Sequence, residues 1–367
     1  MTGPQHQRRP ATLASLAAEL GVSRTTVSNA YNRPDQLSAP LRERVLEAAR
    51  RLGYPGPDPV ARSLRTRRAG AVGLLLTEAL SYAFRDPGAT GFLEGLALAC
   101  EKAGTGLLLV PVSPEHSDVD AVYQAGVDGF VVYSVSEDDP HFRAVLQRPV
   151  PTVVCDQPAG VEGVDRVGVD DRAGTLALGR YLVELGHRRI GVLCMRLSSQ
   201  RHDGPVGPER QERSTYSVQR ERLAGLREAF TEAGVSWSTV PVIERFEHSA
   251  EAGADGAAAL LDAHPGITAV VCTSDILALG ALGEARERGL RVPEDLSVAG
   301  FDGVPEADRV GLTTVRQPFR EKGREAGRLL LERGDRHVSE HVTLPTELVV
   351  GSTTRALRQS GEFFSGW

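Results

Sequence analysis

Cysteine is scarce in this chain: only Cys100, Cys155, Cys194 and Cys272 occur in 367 residues. None of them has the close pairing that zinc sites or redox dithiols need. Three lie in apolar, strand-like runs, so all four read as small buried hydrophobes in a reducing compartment. No run of about twenty apolar residues is present to span a bilayer, which argues against a membrane partner. The opening Met1 to Pro10 is polar and basic, with no apolar stretch of leader length behind it. A cytoplasmic protein is therefore expected. Catalytic signatures are missing too. There is no P-loop, no nucleophile elbow, no glycine-rich dinucleotide fingerprint after a strand and no histidine-rich metal run. His187 and His202 have no partner visible in sequence. No enzyme, cofactor or metal site is expected.

What is present is unevenly charged. Residues 1–68 hold twelve arginines against five acids, a net +7, while the remainder carries −13, giving −6 overall. A basic head on an acidic body points the head towards a polyanion, because arginines neutralise phosphates and release condensed counterions.

The head reads as three short helices. Thr12 can cap the first, whose Leu13, Leu16, Ala17 and Leu20 follow the spacing of one buried face, and Gly21 ends it. Ser23 can cap a second helix running to about Asn32, with Val27 and Ala30 turned inward. A third begins near Ser38 and Pro40, buries Leu41, Val45, Leu46, Ala49 and Leu52, and stops at Gly53. Pro55, Gly56, Pro57 and Pro59 then forbid helix and mark a domain boundary.

Beyond Ala69 the pattern changes. Val72 to Thr77, Gly106 to Val112, Gly129 to Val135 and Thr152 to Asp156 read as buried strands, with helical segments such as Gly91 to Ala103 between them. The alternation starts again with Val167 to Asp170, Ile190 to Met195, Ala269 to Thr273 and Ser297 to Asp302. Alternation of this kind predicts parallel sheets covered by helices on both faces. About eight strands over some 290 residues are more economical as two doubly wound lobes than as one. Ser198 to Ser217, rich in Arg, Gly, Pro, Ser and Gln, reads as a long mobile loop.

Two helices joined by a short Gly-containing turn, the second studded with small polar and basic side chains, suit reading of a DNA major groove. Arg24, Thr25 and Asn29 project from the face opposite Val27 and Ala30. Thr12, Ser23, Thr26, Ser28 and Asn32 are placed for phosphates. The run TLASLAAELGVSRTTVSNAYNRPDQLSAPLRERVLEAARRLGY resembles the headpiece of the LacI/GalR family of transcriptional regulators, and DPVARSL resembles that family's hinge helix. The likeness implies that Arg24, Thr25 and Asn29 read bases of double-stranded operator DNA. It further implies that Ala61 and Leu64 belong to a hinge helix at the minor groove, Leu64 as an apolar wedge. The Pro-Gly-Pro run makes the spacer one residue longer than is usual there.

RVGVDDRAGTLALGRYLVELGHRRIGVL, AVVCTSDILALGAL, RGLRVPEDLSVAGFD and LTTVRQPF are similar to later segments of the same family. The implied fold is a small all-α helix-turn-helix headpiece plus an α/β periplasmic-binding-protein-like core of two doubly wound parallel-sheet lobes. The expected divisions are a headpiece (1–55), a hinge (56–68), a first lobe (69–165 and 318–342), a second lobe (166–317 and 343–355) and a tail (356–367). Asp156, Arg222, His248, Ser274 and Asp302 are nominated for an effector cleft between the lobes. Guanidinium and carboxylate groups suit the dense hydroxyls of a sugar or related metabolite. Glu78 to Asp86, with Tyr82, Phe84 and Arg85, departs from the family's commonest wording. The reading is a sequence-specific regulator, a repressor by preference, that works as a homodimer matched to palindromic operators. The tail lacks the leucine heptads of a coiled-coil tetramer. The rivals are an enzyme built on the same lobes and an exported solute receptor.

Overall fold

A computed structural model describes residues 11–57, 63–64, 66–76, 83–111, 118–334 and 338–357. Ala61, Arg62 and Arg65 of the expected hinge helix, Tyr82, and the tail beyond Leu357 lie outside the described residues. The chain divides into two units, residues 1–70 and 71–367.

In the first unit, α1 (Leu13–Leu20), α2 (Arg24–Asn32) and α3 (Ala39–Leu52) surround one small core. Leu16, Ala17, Val27, Ala30, Val45, Ala48 and Ala49 are buried there. Thr12 and Ser15 form a reciprocal capping box at the start of α1, and the Ser23 hydroxyl accepts the Thr26 amide at the start of α2. Gly21 and Gly53 end α1 and α3 in the left-handed conformation that glycine adopts without strain. Ser63, Leu64 and Thr66 are helical, and Leu64 is 77% exposed.

The second unit holds two sheets. The first contains β1 (Ala71–Leu76), β2 (Gly106–Val110), β3 (Gly129–Tyr133), β4 (Thr152–Cys155), β5 (Asp165–Val169) and β12 (His341–Leu344), in the order β12-β5-β4-β3-β1-β2 and parallel throughout. The second contains β6 (Ile190–Met195), β7 (Gly204–Pro205), β8 (Val242–Arg245), β9 (Ala269–Cys272), β10 (Ser297–Asp302), β11 (Thr313–Arg316) and β13 (Glu347–Val349), in the order β13-β11-β10-β9-β6-β8-β7. Only its edge strands β13 and β7 run antiparallel to their neighbours.

Both faces of each sheet are covered, so successive side chains of one strand enter different cores. Leu74 and Leu76 pack under α4 (Pro87–Ala103) and α13 (Phe319–Leu331), while Leu75 packs with α5 (Asp120–Gln124) and α6 (Pro140–Leu146). In the second sheet Val192 faces α7 (Asp171–Glu184) and α9 (Ser217–Glu232). Its neighbour Leu193 shares a core with α10 (Ala250–Ala263), α11 (Asp275–Glu287) and the short α12 (Pro305–Val310).

Each main helix pair closes on glycine. A Cβ added at Gly95 of α4 would lie 1.9 Å from the Arg320 carbonyl oxygen of α13, and one at Gly323 would lie 2.0 Å from that of Phe92. Gly225 against Arg172 joins α9 to α7, and Gly280 against Ala250 joins α11 to α10, at comparably short range. Only a hydrogen at these positions lets the backbones touch.

Two expectations need correction. The strand at 165–169 completes the first sheet rather than opening the second lobe, so the chain crosses at Asp170, again at Gln317–Pro318, and a third time at 345–346 between β12 and β13. Residues 198–217 are not a mobile loop. They form β7 and the short helix α8 (Pro208–Glu212), with Gln211 and Ser214 buried. Polar anchors replace the missing apolar ones: the Trp237 indole donates to Gln211 (2.9 Å), and Arg210 pairs with buried Glu244 (2.6 Å). Strands β7, β8, β11, β12 and β13 escape the apolar-run criterion because they are short, and most lie at sheet edges.

The glycine contacts yield a prediction. Gly95→Ala or Gly323→Ala should destabilise the second unit by about 1–3 kcal/mol or more through overpacking. Gly126→Ala, which meets nothing within 4 Å, should change little. Urea unfolding of the three variants compares them, and equal midpoints would contradict the close approach.

Candidate ligand cleft and nucleic-acid interface

On the headpiece, Arg24 and Thr25 stand exposed in the first turn of α2, while Thr26, Ser28, Asn29 and Asn32 are half-buried. The amide of Asn29 donates to Gln36 Oε1 (3.1 Å), and that of Asn32 donates to the Ser28 carbonyl (3.0 Å). Thr12 and Ser23 hold helix starts, so their hydroxyls have a structural task before any phosphate one. Sequence reasoning missed Gln36, whose contact with Asn29 spans seven residues and has no local pattern to announce it.

In the second unit the carboxyl ends of β3, β4, β6 and β10 converge on a cleft with about 850 Å³ of free space, including that open to solvent. Parallel sheets place ligand sites at this end. Asp156, Arg222, His248 and Asp302 line the cleft together with Asp86, Tyr133, Gln157, Arg196, Tyr216, Gln317 and Phe319. Ser134, Asp156 and Asp302 hold positive φ angles of 54°, 64° and 129° without being glycine. Strained backbone of this kind persists where the surroundings over-determine it, commonly at ligand sites.

Arg222, on the second turn of α9, sits at the floor. Its Nε donates to Asp171 (2.8 Å), its Nη1 to Asp302 (3.2 Å) and to the Thr273 carbonyl (2.5 Å), and its guanidinium lies 3.8 Å from the Phe301 ring centroid. Burial opposes its charge, but Asp171 and Asp302 more than offset this and raise its pKa. Burial likewise raises both carboxyls, against the pull of Arg222. On the first lobe Asp156 pairs with fully buried Lys322 (2.7 Å). The predicted residue Ser274 does not line the cleft. It is fully buried, caps α11 through the Leu277 amide (3.3 Å) and contacts the His248 ring (3.0 Å) from behind. Phe84 and Arg85 are exposed, and Asp86 caps α4.

Lys322, Gln317, Asp171 and Asp275 were not foreseen. A signal existed for Lys322: it is one of two lysines among 42 cationic residues, and it occupies the stripe shared by Phe319, Gly323 and Ala326, where apolar residues belong. Asp275 is fully buried and accepts from the Gly303 and Val304 amides (2.7 and 3.0 Å) and the Thr314 hydroxyl (2.6 Å), fixing the turn that presents Asp302.

Asp275 and His248 tune stability in opposite senses. Burial and then Asp302 push Asp275 up from 3.8 to about 7, whereas burial pulls His248 down from 6.5 to about 4. A carboxyl that keeps its proton to higher pH when folded stabilises the fold in acid, and this contribution declines as pH rises from about 4 to about 7. A histidine that resists protonation when folded contributes fully above pH 6.5 and less as pH falls towards 4. Each slope is at most on the order of 1 kcal/mol per pH unit. The stability difference between the wild type and Asp275→Asn should therefore fall with rising pH, and that with His248→Gln should climb. Denaturant melts at several pH values measure both, and two flat differences would refute the assignment.

Among the described residues no helix is long and apolar enough to cross a membrane. Residues 12–56 match the bacterial regulatory proteins of the lacI family, and residues 180–354 match the periplasmic binding protein-like domain. The chain is 56% identical over 349 residues to an HTH-type transcriptional regulator of Mycobacterium tuberculosis, covering 94% of this chain and 97% of that one. It is similar to the transcriptional regulator CelR solved with cellobiose (TM-score 0.68, 31% identity, 94% of this chain, 99% of that one). It is similar also to the Lac repressor dimer solved on operator with the anti-inducer ONPF (TM-score 0.74, 26% identity, 95% of this chain, 100% of that one). With an N-terminal helix-turn-helix and a two-lobed, periplasmic-binding-protein-like core in one chain, this protein belongs to the LacI family of transcriptional regulators.

Proposed function

We propose that this regulator is a sequence-specific repressor that binds its operator as a homodimer and answers to an uncharged sugar or related polyhydroxylated metabolite held between its lobes. The observation that carries the effector reading is the cleft itself. Asp86, Asp156 and Asp302 face Arg196 and Arg222 across a floor backed by Asp171 and Lys322. Four carboxylates against three cations leave no surplus positive charge for a phosphate, while directed donors and acceptors suit hydroxyls. Tyr133, Tyr216 and Phe319 supply flat apolar faces for a sugar ring. The cellobiose held by CelR supports the same class of ligand. No turnover is proposed, and the cytoplasm is the expected site of action.

DNA reading is assigned to Arg24, Thr25 and Asn29, with Thr12, Ser23, Thr26, Ser28 and Asn32 towards the backbone. Exposure of Arg24 and Thr25 beside the Ser23 cap supports this. Leu64, exposed on a helical segment, is assigned to the minor groove together with Ala61. Asp156, Arg222, His248 and Asp302 are assigned to the effector, and Ser274 supports His248.

Arg24→Ala and Asn29→Ala should each weaken operator binding by about 1–3 kcal/mol and leave binding to unrelated duplex nearly intact. Fluorescence anisotropy on the promoter of the protein's own gene and on scrambled DNA measures this, and equal losses on both duplexes would count against base reading. A thermal-shift screen of sugars should find stabilisers by mass action. The phosphate ester of any hit should bind at least tenfold more weakly, and Arg222→Ala should abolish the shift. A phosphate ester that binds more tightly would overturn the uncharged class.

A further inference from the structure

Ser136 and Glu137 bond to Thr215, and the Val218 amide bonds to Gln157, joining the lobes beside the cleft. A further chain of hydrogen bonds, buried and charged at both ends, runs from lobe to lobe across its floor. Arg222 Nη1 donates to Asp302 Oδ1 (3.2 Å), and the same oxygen accepts the Gln317 side-chain amide (2.7 Å). The other end of that amide, Gln317 Oε1, accepts from Lys322 Nζ (2.6 Å), and Lys322 donates twice more to Asp156 (2.9 and 2.7 Å). Asp302 and Arg222 belong to the second lobe, Asp156 and Lys322 to the first, and Gln317 lies on a crossing between them.

The polarity of this bridge is fixed at both ends. A carboxylate demands the NH₂ end of Gln317 and an ammonium demands its oxygen, so the amide cannot turn over without opposing both charges. The Lys322 ammonium is fully buried, with its three donors matched by three acceptors and the Phe319 ring centroid 4.8 Å away. Rotation of one lobe against the other must stretch the bonds of Gln317, and a broken bond would leave a buried charge short of a partner.

We propose that Gln317 and Lys322 form a polarised latch that sets one angle between the lobes before any effector is bound. The receptor thus starts from a fixed geometry instead of a freely opening hinge. Both are positioning residues: they act through Asp302 and Asp156, which line the cleft. The proposal is independent of what the cleft binds.

The test needs no ligand. The four native cysteines are buried, so spin labels can be directed to Arg143→Cys on the first lobe and Ala263→Cys on the second, both exposed. Ala263→Cys with Ser238→Cys, within the second lobe, serves as the control pair. Pulsed electron spin resonance on the full chain, diluted with unlabelled protein, gives the distance distributions. The unaltered latch should give one narrow interlobe distribution. Gln317→Leu, which removes the bridge and keeps both charges, should broaden it at least twofold, as should Asp156→Asn/Lys322→Met, which removes the ion pair as a unit. The control distribution should stay unchanged in both. An interlobe width in Gln317→Leu equal to that of the parent would overturn the proposal, as would equal broadening of the control pair.

Discussion

A buried guanidinium organises the second unit. Arg222 is taken out of water at the junction of the lobes, which is tolerable only because Asp171 and Asp302 converge on it and Phe301 offers its ring face. Those partners arrive from the start of α7, the end of β10 and the interior of the same strand. Their meeting requires the second sheet and its crossover helices to be in register. In turn Asp302 must point inward from a positive φ, and Asp275 secures the turn behind it with two backbone amides and a hydroxyl. The cleft's electrostatics and the local fold are therefore one arrangement.

Rigidity is concentrated inside the lobes. Each main helix pair is fastened backbone to backbone at glycine, and each sheet is buried on both faces. Between the lobes, by contrast, the covalent connection is three short crossings. Direct hydrogen bonds add to these crossings, among them Ser136 with Thr215 and the Val218 amide with Gln157. Gln317, Asp171 and Lys322 lie on or within a few residues of the crossings, so the charged floor of the cleft and the covalent links between the lobes occupy the same region.

The headpiece works on a smaller scale. Seven buried side chains, six of them alanine or valine, support three helices. Its caps therefore matter in proportion, since the Thr12–Ser15 box and the Ser23 cap each satisfy helix-terminal amides that a core of this size cannot shield.

The headpiece helices with their caps and glycine stops and the parallel α/β architecture of the remainder were legible in the chain itself, whereas Asp156, Arg222, His248 and Asp302, which line the cleft, were nominated through the family resemblance. The helices and strands rest on local signals, helical periodicity and strand-like apolar runs, while the cleft residues rest on segments similar to those of the family. Three-dimensional packing was needed to place Asp165–Val169 in the first sheet, to anchor residues 198–217 through Gln211 and Glu244, to set Ser274 behind His248, and to join Asp156 to Gln317 through Lys322. Each of these depends on a partner between five and 166 residues away, or on which edge of a sheet a strand joins. Such choices follow from packing and pairwise charge compensation in three dimensions, which leave almost no periodic trace in the chain.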